Sequence, residues 1–233
     1  MRIAQANLAM VRHVAERLGD LRERVVFLGG AATTLLITDQ AAPDVRPTLD
    51  VDVIVEIGSG PDYNRLGESL REIGFTEDAS EGAPLCRWLI DGIRVDIMPT
   101  DERILGFSNR WYLSALRHAV HTEIGSGVTI RIVTAPFFLA TKLEAFFGRG
   151  RDDFLASHDL EDIIAVLDGR KEIAEEVKSV PEEVREFLAG NFDALLQNRE
   201  FLDALPGHLP PDVASQKRAM VVLNRIREIA KAG

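Results

Sequence analysis

The chain of 233 residues is long enough for one large domain or two small ones, and its 46% hydrophobic and 27% charged residues are typical of a folded globular protein. Its net charge of −10 disfavours nucleic-acid binding through a general basic surface, so a phosphate ligand would need a local positive region or metal ions. A single cysteine, Cys86, excludes an intrachain disulfide framework, and no apolar run approaches the roughly 20 residues that span a bilayer. We therefore expect a cytoplasmic protein that does not bind a membrane.

Strands and helices alternate over the first part of the chain. Residues 4–19 carry apolar side chains at helical spacing and too many charges for a signal peptide. Asp91-Gly92 lies between two apolar runs, which predicts a β-hairpin with a two-residue turn. The predicted elements are helix 4–19, strand 25–28, helix 31–37, loop 39–47, strand 51–57, helix 62–74, strands 85–90 and 93–98, a helix near 109–120 and strand 126–136.

The pattern becomes helical throughout from Pro136 onward. We therefore predict two domains, an α/β core at 1–134 and a helical region at 135–233. The predicted fold class is α+β, with a small mixed β-sheet flanked by helices and followed by a C-terminal helical bundle. The predicted helices of this region are about 136–148, 153–168, 170–178, 181–204 and 212–231.

Two aspartates lie one residue apart at the start of the strand predicted at 51–57, although aspartate is depleted in strands. Asp50 and Asp52 project to the same face, because side chains two residues apart in a strand do so. Neighbouring carboxylates raise each other's pKa unless a positive charge lies between them, and Mg²⁺, or Mn²⁺, is the usual cation. Asp96, in the second strand of the predicted hairpin, is the candidate third ligand.

The glycine pair supplies a second part of a candidate site. Glycine lets the backbone approach a ligand closely, and the predicted helix begins directly after Gly30. The free N–H groups of a helix N-terminus form a phosphate site. Together with a metal site at the aspartates, this describes binding of a nucleoside triphosphate with Mg²⁺. Two metals in such a site stabilise the attacking and leaving oxygens of an in-line displacement.

Each motif alone has a simpler interpretation. Gly29-Gly30 alone is a common strand terminator, and Asp-x-Asp alone can be a strand-edge solubility device or a turn. Asp96 alone can form a salt bridge to Arg94 or Arg87. The order strand, Gly-Gly, helix, loop, Asp-x-Asp strand and Asp strand is much rarer by chance, and it favours the functional interpretation.

These residues resemble the polymerase-β-type nucleotidyltransferase superfamily. Its pattern is a hydrophobic residue, Gly-Gly or Gly-Ser, a spacer, Asp-x-Asp or Asp-x-Glu, and a third Asp on a later strand. The resemblance implies that the three aspartates bind the metals and that the glycine pair contacts the triphosphate. The spacer is longer here than in the compact form of the pattern, because it includes loop 39–47. The matching residues are Leu28-Gly29-Gly30, Asp50-Val51-Asp52 and Asp96.

Within that superfamily, the chain is most similar to the AbiEii/MenT-like toxin-associated nucleotidyltransferases of bacterial toxin–antitoxin systems. Their R-x-T-x-D-x-D pattern is matched from Arg46 through Thr48 to Asp52. They also carry a helical Lys, then an Arg, then a D-x-x-D-[LI] run. The resemblance covers about residues 25–168. The downstream candidates are Lys142, Arg149 or Arg151, Asp159 and Asp162.

The resemblance also implies roles for the basic candidates. Lys142 and Arg149 would offset the charge of the triphosphate, because a cation near the β or γ phosphate does so. The alternative for Lys142 is an ordinary surface lysine. Arg46 either contacts phosphate or caps the loop, and Thr48 supports the site.

The aspartates of the downstream run lie three residues apart on one helix face. Asp159 and Asp162 would orient Lys142 or Arg149, or help activate the acceptor hydroxyl. The alternatives are a solvated helix face and a surface pair with Arg170. The sequence leaves these interpretations open.

The last predicted helix carries the longest basic stripe on this acidic protein. A nucleic-acid contact and a solvated helix face are the two interpretations, and we favour the solvated face. The stripe consists of Lys217, Arg218, Arg225, Arg227 and Lys231.

These features lead to the hypothesis of a Mg²⁺- or Mn²⁺-dependent nucleotidyltransferase, which moves an NMP from an NTP to a hydroxyl acceptor and releases pyrophosphate. The toxin-like resemblance makes the acceptor an RNA 3′ end, such as that of tRNA, or a protein side chain, with an antitoxin protein as partner. One alternative acceptor is a small molecule such as an aminoglycoside or lincosamide antibiotic. Another alternative is a non-catalytic nucleotide-binding module with this fold. Net charge does not separate an RNA acceptor from a cationic drug.

Overall fold

The computed structural model describes residues 3–148 and 153–233, which divide into two compact units. The first unit contains the described residues up to Thr34 together with Arg46–Thr134, and it holds the β-sheet. The second contains Leu35–Val45 and the described residues from Ala135 onward, and it is helical. The predicted α+β class with a mixed sheet is confirmed, whereas the division into domains 1–134 and 135–233 stays a prediction. No helix within the two described ranges is long and apolar enough to cross a membrane.

Seven strands of the first unit form one mixed sheet. In chain order they are β1 (Val25–Leu28), β2 (Asp50–Val55), β3 (Thr76–Glu77), β4 (Arg87–Ile90), β5 (Ile93–Pro99), β6 (Val120–Glu123) and β7 (Thr129–Ile132). Their order across the sheet is β3-β4-β5-β2-β1-β7-β6. The pairs β2–β5 and β1–β7 are parallel, and the other pairs are antiparallel.

The central strands carry the core of this unit. All four residues of β1 are buried, as expected for a short apolar strand covered on both faces. In β2 the fully buried Val51 and Val53 alternate with the half-buried Asp50 and Asp52. The two aspartates therefore share one face of the sheet, as the period of two in a strand requires.

The predicted hairpin is confirmed. Strands β4 and β5 pair antiparallel, with Ile90 opposite Ile93. The turn residues Asp91 and Gly92 have φ angles of 49° and 80°, the left-handed conformations that a two-residue turn of this type needs. The hairpin places Arg87 of β4 directly opposite Asp96 of β5.

The helices up to residue 134 differ from the prediction at several points, and the short helices Gly19–Arg24 and Glu102–Leu105 were not predicted. The helix after β1 begins at Gly29 of the glycine pair, two residues earlier than predicted. The helix predicted near 109–120 is wrong in its last part, because Val120–Glu123 is a strand that pairs with Thr129–Ile132. The helices are α1 (Ile3–Leu18), a 3₁₀ helix (Gly19–Arg24), α2 (Gly29–Leu36), α3 (Gly60–Glu72), α4 (Glu102–Leu105) and α5 (Tyr112–Arg117).

The C-terminal helices are shorter and more numerous than predicted. The helix predicted at 181–204 is divided at Asn198, whose side-chain oxygen accepts hydrogen bonds from the next backbone N–H groups and starts a new helix. The helix predicted at 212–231 is divided at Arg218. The helices are α6 (Ala135–Gly148), α7 (His158–Gly169), α8 (Ile173–Lys178), α9 (Glu182–Gln197), α10 (Arg199–Ala204), a 3₁₀ helix (Leu205–His208), α11 (Val213–Lys217) and α12 (Ala219–Ala230).

The loop between the glycine pair and the aspartates belongs in part to the second unit. The backbone N–H groups of Thr38 and Asp39 donate to the Gly169 carbonyl over 2.9 and 2.8 Å. A Cβ at Gly169 would lie 2.7 Å from a methyl of Ile37, so the helix end must be a glycine for this close approach. The chain thus leaves the first unit after Thr34 and returns to it at Arg46.

Candidate active site

Three aspartates lie on neighbouring parallel strands of the first unit. Asp52 of β2 lies directly opposite Asp96 of β5, and Asp50 lies opposite Arg94. Asp50 and Asp52 are half-buried, and Asp96 is buried. We call Asp50, Asp52 and Asp96 the aspartate face. Their proximity follows from the register of two strands that are distant in sequence.

Arg87 binds two members of the aspartate face. Its Nε and Nη2 each donate a 2.8 Å hydrogen bond to Asp96, one to each carboxylate oxygen. The Nη2 atom also lies 3.7 Å from Oδ2 of Asp50. The hydrogen bonds to Asp96 raise the pKa of Arg87 above its usual range, so this side chain is a permanent cation. Of the two ion-pair partners considered for Asp96, the structure selects Arg87 rather than Arg94.

The aspartate face fits a divalent cation in its chemistry and its strand placement. Carboxylate oxygens are the ligands that Mg²⁺ and Mn²⁺ prefer. Among residues 3–148 and 153–233, however, no three His, Cys, Asp or Glu side chains are already arranged around a point that could hold a metal ion. The positive charge between Asp50 and Asp96 is instead that of Arg87.

Gly29 lies against the carboxylate of Asp52. A Cβ on Gly29 would fall 1.8 Å from Oδ2 of Asp52, and the φ angle of Gly29 is +72°. Both the space and the backbone conformation therefore require glycine. The close approach arises because β1 and β2 are antiparallel, with Leu28 opposite Asp52.

Gly30 lies under the side chain of Arg46. A Cβ on Gly30 would fall 2.5 Å from Nη2 of Arg46 and 3.3 Å from Oγ1 of Thr48. The Thr48 hydroxyl donates a 2.8 Å hydrogen bond to Asp50, and the buried Asn7 donates through Nδ2 to the Arg46 carbonyl over 3.0 Å. The predicted residues of the glycine pair, the R-x-T motif and the aspartate face thus adjoin one another. Sequence reasoning missed Asn7.

A second charged cluster lies in the helical unit. The Lys142 Nζ lies 3.0 Å from Asp159 and 2.7 Å from Asp162, and only 12%, 8% and 2% of these three side chains are exposed. We call these residues the lysine cluster. The solvated-face interpretation is wrong for them, and Arg170 binds Glu176 instead. Arg149 and its alternative Arg151 lie outside the described residues.

The basic stripe of the last helix is partly used within the second unit. Arg218 donates to both carboxylate oxygens of Asp168 over 2.7 and 2.8 Å and to Asp39 over 2.8 Å. Arg225 donates to the backbone carbonyls of Leu167 and Asp168. Two of the five cations therefore hold the unit together, which weakens the nucleic-acid interpretation of the stripe.

Comparison with known proteins identifies similar folds. No protein-family model and no curated protein sequence matches the chain significantly. The crystal structure of JHP933 from Helicobacter pylori matches with a TM-score of 0.50 and 13% identity, over 98% of this chain and 92% of that one. A Helicobacter pylori structure provisionally described as a nucleotidyltransferase matches with the same TM-score and identity, over 98% and 95%.

A third structure, of an antigenic nucleotidyltransferase-like protein from Paracoccidioides brasiliensis, has a TM-score of 0.48 and 18% identity, over 87% of this chain and 93% of that one. At 13% identity, the two Helicobacter pylori matches establish a shared fold. The fold of this chain is therefore similar to that of a protein described as a nucleotidyltransferase.

Proposed function

We propose that this protein is a nucleotidyltransferase that transfers an NMP from an NTP to a hydroxyl acceptor and depends on Mg²⁺ or Mn²⁺. The observation that carries the proposal is the contact of Gly29 with Asp52, which is itself in register with Asp96. This contact places the N-terminus of helix α2 beside the aspartate face. The first suits phosphate and the second suits a cation, and an NTP–metal complex has both parts.

The helix N-terminus supplies the proposed triphosphate contact. Helix α2 begins at Gly29, so its first backbone N–H groups have no partners within the helix. The side chain of Arg46 lies next to Gly30 and adds a positive charge at the same place. Together they offset part of the triphosphate charge without the general basic surface that this protein lacks.

The proposed reaction is an in-line displacement at the α-phosphorus. The acceptor oxygen forms a bond to phosphorus, the bond to the bridging oxygen breaks, pyrophosphate leaves, and the acceptor proton passes to a base or to water. Bound divalent metal would stabilise the attacking and leaving oxygens. Asp50, Asp52 and Asp96 would hold the metal. Thr48 orients Asp50 through its 2.8 Å hydrogen bond.

The lysine cluster enters the proposal through the resemblance and through its burial. Removing three charged side chains from water is expensive, and proteins retain such groups mostly where they pair well or serve a function. We propose that Lys142 is a triphosphate-binding cation that Asp159 and Asp162 orient. Arg149 has the same proposed role.

The acceptor is the finer part of the proposal. The R-x-T-x-D-x-D pattern supports an RNA 3′ end, such as that of tRNA, or a protein side chain, as in toxin-associated members. An antitoxin protein would then be the partner in a bacterial toxin–antitoxin pair. A small cationic drug is the competing acceptor, and the experiment below separates the two.

The test is transfer of label from each α-³²P-labelled NTP, with Mg²⁺ or Mn²⁺, to tRNA, to the protein itself or to a panel of aminoglycosides and lincosamides. We expect label on one acceptor class, lost by a factor on the order of 10²–10³ in Asp52→Asn. Asp91→Asn is the matched control, because Asp91 is an exposed aspartate of the same sheet, in the hairpin turn.

Two results would contradict the proposal. If no acceptor takes up label from any NTP, the protein is not this enzyme. If there is no transfer but the wild type and Asp52→Asn both bind NTP with the same affinity, the non-catalytic nucleotide-binding module is the better description. Label found only on a drug would retain the enzyme class and overturn the RNA or protein acceptor.

A further inference from the structure

Arg87 occupies the place where the proposed active site needs positive charge. Its guanidinium binds both oxygens of Asp96 at 2.8 Å and reaches Oδ2 of Asp50 at 3.7 Å. The exposed fractions of the side chains are 18% for Arg87, 12% for Asp96 and 32% for Asp50. A largely buried bidentate pair of this kind is well formed and only weakly screened by salt.

This contact conflicts with a metal held by the same carboxylates. A divalent cation at Asp50 and Asp96 would lie within a few ångström of a guanidinium that is always charged. A divalent cation and a guanidinium at about 4 Å repel each other strongly in a partly buried site. The absence of a ready three-ligand arrangement among the described residues agrees with this conflict.

We propose that Arg87 is the resident counter-ion of the aspartate face and that a divalent cation binds in competition with it. The inference rests on the metal-dependent function proposed above and adds a residue to it. Metal alone then binds weakly, because Arg87 must first release Asp96. An NTP brings phosphates that a guanidinium binds as well as it binds a carboxylate, so metal and nucleotide should bind together.

A purely structural role for Arg87 makes the opposite prediction. If Arg87 only ties β4 to β5, then its replacement loosens Asp96 and metal binding becomes weaker or stays the same. If Arg87 competes with the metal, then removing its charge makes metal binding tighter. The direction of the change in metal affinity therefore separates the two roles without any measurement of enzymatic activity.

The experiment is a titration of the whole chain with Mn²⁺ alone, with free Mn²⁺ followed by its electron paramagnetic resonance signal. We expect Arg87→Gln to bind Mn²⁺ at least about tenfold more tightly than the wild type, because a competing unit charge is gone. Arg87→Lys keeps the charge but loses the two guanidinium donors that bind both oxygens of Asp96. We therefore expect an intermediate gain in Mn²⁺ affinity of about threefold. Arg94→Gln is the matched control, because Arg94 lies on β5 opposite Asp50 but is exposed to solvent, so its charge is screened and Mn²⁺ affinity should stay within about twofold.

Circular dichroism tests whether each variant is folded. If Arg87→Gln does not fold, the direction of the change in Mn²⁺ affinity in Arg87→Lys decides between the two roles. Weaker or unchanged Mn²⁺ binding in the folded variants overturns the inference, as does equal tightening in Arg94→Gln. Transfer activity is measured separately. Metal-dependent transfer with no tightening refutes only the role of Arg87, whereas tightening without any transfer supports that role and refutes the enzyme.

Discussion

Two arginines of this protein each pair with two aspartates, one arginine in each unit. Arg87 binds both oxygens of Asp96 and extends to Asp50, and Arg218 binds both oxygens of Asp168 and extends to Asp39. The exposed fractions of the two arginine side chains are 18% and 20%. The type of partner and the exposure alone would therefore assign the two arginines the same role.

Their surroundings differ. Asp168 is 2% exposed, and Arg225 also donates to its backbone carbonyl, so this carboxylate is enclosed by protein. Burial raises the pKa of the Asp168 carboxyl, whereas the hydrogen bond from Arg218 lowers that of Asp39. The Arg87 pair instead adjoins a third carboxylate and a glycine-lined helix start. An ion pair that lies beside a further carboxylate and a helix N-terminus suggests a role in ligand binding. An ion pair that is enclosed by protein suggests a role in stabilising the fold.

The largest expected effect is on stability in the second unit. Arg218→Met leaves the buried Asp168 without its ion-pair partner, which should lower the free energy of unfolding by about 3–5 kcal/mol. Arg87→Met should cost only about 1–2 kcal/mol, because Asp96 and Asp50 are more exposed and can regain water. Urea denaturation of the two variants measures the difference.

The control for this comparison replaces both members of the enclosed pair. Arg218→Met with Asp168→Leu should recover most of the loss, because an apolar pair of similar size avoids the buried charge. Equal losses in the single Arg218 and Arg87 variants would show that the two pairs do not differ as their surroundings indicate.

The glycine pair gives the next largest effect. Gly29→Ala forces a Cβ into the Asp52 carboxylate at a positive φ angle, which should cost at least about 2 kcal/mol, since the backbone conformation alone costs about 1–2. Gly30→Ala meets the end of the flexible Arg46 side chain, with Oγ1 of Thr48 next at 3.3 Å, and should change stability by less than about 1 kcal/mol. Thermal unfolding of both variants tests this order.

A second substitution separates the clash from the backbone strain. Gly29→Ala with Asp52→Ser removes the carboxylate that the new Cβ would meet, and it should recover part of the lost stability. No recovery, or a larger loss in Gly30→Ala than in Gly29→Ala, would contradict the close approach of Gly29 to Asp52.

The sequence predicts the features that depend on neighbours along the chain. Alternation in β2 indicates that Asp50 and Asp52 share a face, and Asp91-Gly92 fixes the hairpin by turn chemistry. The break at Asn198 was missed, although Asn is a good N-cap residue and carried a usable signal. The strand at 120–123 was missed because a short edge strand has too few alternating residues to stand out from a helix.

The features that depend on tertiary pairing are not encoded locally. The role of Arg87 requires the register between β4 and β5, and the contact of Gly29 with Asp52 requires that β1 and β2 be antiparallel. The hydrogen bond from Asn7 to Arg46 joins residues 39 positions apart, and that from Arg218 to Asp39 joins residues 179 apart. From the sequence alone, polar residues of this kind are predicted to be exposed, because their partners are distant along the chain.

The smallest expected effect concerns the ion pair between Arg218 and the partly exposed Asp39. The hydrogen bond from Arg218 lowers the pKa of Asp39 below its ordinary value of 3.8, so the stability it contributes is present above pH 3.8 and is lost as the pH falls through the lowered value. Asp39→Asn should therefore cost less than about 1 kcal/mol at neutral pH, since Asp39 is partly exposed, and the difference from the wild type should shrink below pH 3.8 and vanish below the lowered pKa of Asp39. Thermal unfolding over a pH series measures both. Asp203→Asn, at a 74% exposed aspartate paired with Arg199, is the control for removing one acidic side chain, and an equal loss of stability there at neutral pH would mean that the effect is general rather than due to Arg218.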